Sequence, residues 1–292
     1  MKLKNLLFFA IFLIFLISLL IFFSDIISKN DNQEENEITT TTTDKLEYKS
    51  FYDGNQGSTG YLEGKTVIVS IFADDINTNW DVVDLDTKLS YNAKLKKTTE
   101  WLSSTASKYN KKAEFVYDFE KNPDLLYSTT FSLSLEVEGP EVYFHQSNYI
   151  KYAVKSEELK KKYKADNILY VFFINSSYKN DVNPRTFKYS YGNEKVDVEY
   201  VNLFTKFKGV DTPIETYVHE ILHIFGAVDL YYSSKYVPED YVNYCNLTKC
   251  DDIMYSVYTG DDIQHGFSDI DAYYVGLIDK PSIIDEYNFR ER

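Results

Sequence analysis

Arginine is scarce in this chain: Arg185, Arg290 and Arg292 are the only ones among 31 basic residues. Acids number 45, which leaves a formal net charge of −14. Lys2, Lys4 and Lys29 face a single acid, Asp25, within residues 1–30, so the shortage of positive charge lies in the body of the chain. A body this acidic repels phosphate backbones and anionic lipid surfaces, which excludes nucleic acid as a partner. Cysteine is also rare. Cys245 and Cys250 have no second pair to complete a four-thiolate metal site, so a disulfide is the favoured reading. No cysteine follows the N-terminal apolar run, which excludes a lipoprotein anchor. There is no internal repeat. With 44% apolar and 17% aromatic residues, the chain is too hydrophobic for general disorder.

The one long hydrophobic run is Leu6 to Phe23, apolar except for Ser18. At about 1.5 Å per residue it reaches roughly 27 Å, close to a hydrocarbon core. Lys2 and Lys4 precede it, while Asp31, Glu34, Glu35 and Glu37 follow. The positive-inside rule then places residues 1–5 in the cytoplasm, a signal-anchor at 6–23 in the cell membrane, and the rest outside. The alternative is a cleaved signal peptide and a secreted body, although Ser24-Asp25-Ile26-Ile27-Ser28 offers no convincing cleavage site. Residues 24–60 read as an extracytoplasmic linker: polar, with five consecutive threonines at 39–43 and no apolar period. Residues 61–292 read as the folded domain.

Within that domain the pattern predicts strands at 66–73, 113–119, 131–137 and 168–174, and an edge strand at 196–204. Helices are predicted at 85–109, 147–164 and 269–277, the last capped by Ser268. This order implies an α+β, mixed α/β architecture. A further helix starts at Thr212-Pro213-Ile214-Glu215, with Thr212 as N-cap, Pro213 in the first turn and Glu215 completing a capping box. Ile214, Tyr217, Val218, Ile221, Leu222 and Phe225 form its apolar stripe, and Gly226 ends it.

This helix carries His219-Glu220-Ile221-Leu222-His223, an H-E-x-x-H motif. Residues i and i+4 share a face, so both imidazoles can address one zinc ion at about 2.0–2.1 Å. Glu220 is offset from both and suits the role of general base for the attacking water. A third protein ligand is needed, and the chain continues Gly226-Ala227-Val228-Asp229. Continued helix would carry Asp229 about 600° and 9 Å beyond His223. A chain that stops at Gly226 and turns back would let Asp229 close the site. Downstream lies Met254, one of two methionines.

The pattern H-E-x-x-H-x-x-G-x-x-D, with Met254 after it, resembles the metzincin clan of zinc endopeptidases, in the snapalysin-like variation that places Asp at the third ligand. The resemblance covers residues 212–256. It implies a zincin-type twisted mixed sheet, an active-site helix and a smaller C-terminal subdomain after the Gly226 turn. It also implies one zinc ion on His219, His223 and Asp229, Glu220 as general base, and Met254 as the Met-turn under the metal. Substrates would be peptides or proteins. Several metzincins have a Tyr two positions after the Met; here that position is Ser256, with Tyr255 and Tyr258 beside it as candidates for oxyanion assistance. Competing readings are a zincin with Glu239 as third ligand and a non-catalytic surface binding module.

The remaining features are weaker. A Cys245–Cys250 bridge closes a small loop, stabilises by about 2 kcal/mol and fixes the approach to Met254. His145 and His265 read as ordinary histidines rather than ligands. Calcium at Asp261-Asp262 is unsupported, because two carboxylates lack the spaced ligands of a calcium loop. Nothing in the sequence sets the oligomeric state.

Overall fold

Two strongly apolar runs, one of them interrupted by Ser70, set the centre of the sheet. In the computed structural model, which describes residues 48–50, 57–80, 85–191 and 194–292, these are β2 (Gly64–Asp74) and β5 (Asn167–Ile174). They pair in parallel from Thr66 opposite Asn167 to Ala73 opposite Ile174. Val67, Ile68, Val69, Val171, Phe172 and Phe173 are fully buried, as expected of strands covered on both faces. The other strands are β1 (Tyr48–Ser50), β3 (Ala113–Val116), β4 (Leu126–Thr130), β6 (Arg185–Tyr191) and β7 (Glu194–Phe204). Their order is β1-β6-β7-β5-β2-β3, with β4 also paired to β2. β1, β6 and β7 meet antiparallel and every other pairing is parallel. A small hairpin, β8 (Lys206–Phe207) and β9 (Val210–Asp211), follows.

The helices are α1 (Leu85–Lys108), α2 (Pro140–Ala153), α3 (Ser156–Tyr163), α4 (Ile214–Ile224), α5 (Glu239–Thr248), α6 (Asp269–Tyr274) and α7 (Ser282–Glu286). The mixed α+β class and the main elements agree with the sequence pattern, but several details differ. Residues 131–137 form no strand, although Leu133, Leu135 and Val137 alternate. The Asp75 carboxylate takes the Leu135 amide at 2.6 Å, so that amide joins no ladder, while the paired strand lies just upstream in β4. The predicted helix at 147–164 is two helices, broken where Val154 is extended. β7 is interior rather than an edge. Its alternation misleads because the polar Asn202 is itself buried, exchanging two hydrogen bonds with Gln146 at 2.9 and 3.0 Å. β6, which the pattern missed, lies between β7 and the edge strand β1.

The described residues belong to one compact unit, Glu47–Arg292. Residues after Gly226 form no separate subdomain, because Val237, Met254, Tyr274 and Phe289 join the same buried core as the sheet. The segments read from sequence as cytoplasmic (1–5) and as a signal-anchor (6–23), and most of the expected linker, lie outside the described residues. Among the described residues no helix is long and apolar enough to cross a membrane. The expected linker 24–60 overlaps the fold at its C-terminal end, where residues 48–50 are β1 and Thr59 is buried. Thr59 donates its hydroxyl to the Ile224 carbonyl at 2.7 Å. A Cβ on Gly57 would lie 1.8 Å from that same carbonyl and 2.5 Å from the Gly226 amide. Gly57→Ala is therefore expected to push on the end of α4 and cost about 1–3 kcal/mol, read as a lowered thermal midpoint. An unchanged midpoint would contradict this packing.

Candidate metal centre

All eleven residues of α4 are buried. Ile214, Tyr217, Val218, Ile221 and Leu222 face the core, while the polar side is covered by chain that returns from Gly226 and from the turn at Met254. The helix does not start on a capping box. Pro213 is the N-cap and no side chain caps it. Thr212 instead donates its hydroxyl to the Phe204 carbonyl at 2.5 Å, and Glu215 reaches away to the segment 258–265. Both residues chosen as cap partners thus hold tertiary contacts.

The helix stops where the sequence indicated. Gly226 has φ +103°, in the left-handed region, and the Ala227 amide bonds back to the Leu222 carbonyl at 3.1 Å. Three residues later Asp229 returns to the helix. Its Oδ1 lies 3.1 Å from His219 Nε2 and 3.2 Å from His223 Nε2, and the two Nε2 atoms are 3.3 Å apart. These three residues are the group, among those described, that could hold a metal ion.

The surrounding hydrogen bonds fix which atoms face inward. His219 donates Nδ1–H to the Ile253 carbonyl at 2.9 Å, and His223 donates Nδ1–H to the Ala227 carbonyl at 2.9 Å. In its neutral, metal-ready form each ring turns the lone pair of Nε2 towards the carboxylate. Asp229 Oδ1 is buried and faces both Nε2 atoms. Three electron-rich atoms packed together demand a cation. The electrostatics agree. Burial opposes charge on both imidazoles, yet Asp229 outweighs it and raises both, His223 to about 9. Burial pushes the Asp229 carboxyl up, but the two imidazoles outweigh it and hold the group well below the carboxylate range.

The three separations also test the ion. Ligands about 2.0–2.1 Å from a tetrahedral zinc lie about 3.3–3.4 Å from one another. The observed edges of 3.1–3.3 Å fit such an ion with little adjustment.

Met254 is fully buried. The preceding carbonyl, Ile253, orients His219, and the Met254 carbonyl accepts the Leu230 amide at 2.9 Å, next to Asp229. Asp252 holds this turn through the Met254 amide at 2.7 Å. Behind it Asp271 is buried; burial first, and then the Asp252 charge, raise its carboxyl well above the usual range. Glu239 is exposed at the start of α5 and takes no part in the cluster. Cys245 and Cys250 are bonded, with Cα atoms 4.8 Å apart, at the end of α5.

Glu220 lies outside the ligand set but lines two cavities, of about 560 and 270 Å³, that both reach the cluster. His219, Glu220 and Tyr231 border both. A larger cavity of about 1100 Å³, at Tyr61, Lys111 and Arg292, contains no cluster residue. The tyrosines chosen from sequence lie elsewhere. Tyr255 donates its hydroxyl to Asn246 at 3.1 Å, and Tyr258 packs against Gly260; neither borders the two cavities.

Tyr231 and Tyr232 were missed. They follow Asp229 after Leu230, and only the turn at Gly226 brings them to the candidate ligands. The Tyr231 ring lies 6.3 Å from the His219 ring and inclined by 26°. Burial, then the Asp229 charge, raise both phenols, Tyr232 to about 12, so both remain hydrogen-bond donors at neutral pH. Proximity to a signature ligand is the one cue the sequence offered for them. No family model matches the chain, and no curated protein matches it in sequence.

Proposed function

We propose that this chain is a zinc-dependent endopeptidase of metzincin type, tethered to the cell membrane by residues 6–23 with its catalytic domain outside. The observation that carries this reading is the buried triangle of His219, His223 and Asp229, with edges suited to tetrahedral zinc and electron pairs that call for a cation. His219, His223 and Asp229 would hold the ion, which when bound supplies Lewis-acid polarisation of a carbonyl and acidification of water. Glu220, one residue along the helix from His219 and on the walls of both cavities, takes the proton of the attacking water and passes it to the leaving amine. The backbone of Glu220 is fixed from the sheet side, where Thr186 donates its hydroxyl to the Glu220 carbonyl. Tyr231 stands on the same walls with a protonated hydroxyl to offer a developing oxyanion.

The test is metal content of the purified full-length chain together with cleavage of casein before and after chelation. Near one zinc per chain, with chelator-sensitive cleavage, is the expected result. A chain that takes up no zinc would overturn the reading, and one that keeps zinc without cleaving any peptide in a broad library would be a binding module. Tyr231→Phe is expected to lower kcat about 10–100-fold with little change in KM, because the hydroxyl acts on charge that develops during reaction. A variant as active as the parent removes the phenol from the mechanism.

A further inference from the structure

A second chemical constellation opens onto the same cavity and uses none of the metal ligands. Glu215, in the first turn of α4, has a fully buried side chain. One carboxylate oxygen accepts the backbone amides of Gln264 and His265, the latter at 2.8 Å. The other accepts the Tyr258 amide and His265 Nδ1–H, the latter at 2.7 Å. Donors surround the group on every side, which keeps it ionised. Burial pushes its pKa up, but the His265 hydrogen bond and the three amides outweigh that and lower it.

Because His265 donates Nδ1–H to Glu215, its neutral ring presents a lone pair at Nε2. Ser256 Oγ lies 3.1 Å from that atom, and its hydroxyl donates to it. Ser256 is half-buried and borders the cavity of about 560 Å³, with His219 and Glu220 on the same lining. Val257, the next residue, borders the cavity too, and its amide makes no hydrogen bond among the described residues. Carboxylate, imidazole, hydroxyl and a neighbouring unused amide are the parts of a nucleophile site, and such sites are recognised by geometry rather than by fold. Phe207, Val210 and Pro213 give the cavity an apolar wall suited to an acyl chain.

We propose that Ser256, His265 and Glu215 form a serine-nucleophile site that takes acyl groups from carboxylic esters. Ser256 Oγ bonds to the ester carbonyl carbon while its proton moves to His265 Nε2. The carbon–oxygen bond to the alcohol breaks, and the alcohol leaves with the proton from His265. Water then gives a proton to His265 and attacks the acyl-serine carbon. Release of the carboxylic acid returns the proton to Ser256. Glu215 is the positioning residue, holding the tautomer that lets His265 act as base.

The probe is an alkyl fluorophosphonate, applied to the full-length chain in detergent with chelator present, with the adduct mapped by mass spectrometry. One adduct per chain on Ser256 is expected, and none in Ser256→Ala. The labelling rate should fall by about 100-fold or more in His265→Gln. Labelling should be the same with and without chelator, so the result is independent of the metallopeptidase reading. Hydrolysis of p-nitrophenyl butyrate should be lost in step with labelling. Circular dichroism confirms that each variant is folded. A parent chain that acquires no adduct at Ser256, or a folded His265→Gln that labels at the parental rate, overturns the proposal. The second outcome would leave the network as a brace for the segment 256–265.

Discussion

Glu220→Ala is expected to keep its zinc and lose about 10²–10⁴-fold in turnover. The separation of the two effects follows from geometry. The atoms that could hold the ion belong to His219, His223 and Asp229, while Glu220 stands on the cavity walls beside them. Removing its carboxylate takes away the proton acceptor and leaves each ligand with its orienting carbonyl, Ile253 for His219 and Ala227 for His223. The measurement pairs metal analysis with kcat/KM on a fluorogenic peptide. Glu220→Gln, which keeps shape and hydrogen bonding, should be nearly as inactive, because an amide is not a base at neutral pH. Full activity in either variant would remove the proposed mechanism, and loss of zinc from Glu220→Ala would make the residue part of the metal's support.

Asp229→Ala should lose the metal itself. Two imidazoles and solvent make a poor tetrahedral site, and the carboxylate is the one anionic ligand. Affinity is expected to fall by more than about 100-fold, beyond the loss typical of an outer-shell partner. Dialysis against a weak chelator followed by metal analysis reads this directly. Glu239→Ala should keep its metal, because that side chain is exposed at the start of α5, apart from the cluster. Retention in Asp229→Ala together with loss in Glu239→Ala would assign the protein to the glutamate-ligand zincins. Asp229→Asn adds a check on charge: it preserves the turn, so weaker binding there reports the loss of the anion.

The sequence was sufficient for what depends on local periodicity and local stereochemistry. A continuous apolar run marked β5 as central and a largely apolar one marked β2 as buried, because a strand buried on both faces has little polar side to show. The spacing of His219 and His223 placed both imidazoles on one helix face, and Gly226 marked the stop because its φ of +103° suits glycine. From that stop alone, Asp229 could be expected to return to the helix.

Tertiary structure decided whatever rested on distant partners. Asn202 made β7 look like an edge until Gln146, 56 residues away, supplied its hydrogen bonds. Thr212 and Glu215 satisfy the spacing of a capping box, yet the Phe204 carbonyl and the segment 258–265 claimed both side chains. Tyr255 lost its place at the site because its hydroxyl found Asn246, and Tyr231 gained one because the turn at Gly226 swung it against His219. His265 had read as an ordinary histidine, and only folding set it between Glu215 and Ser256. The common reason is that a polar side chain bonds to whichever donor or acceptor packing leaves within about 3 Å. Helix and strand periods record which face is apolar; they carry no record of which polar group from a remote segment will arrive there.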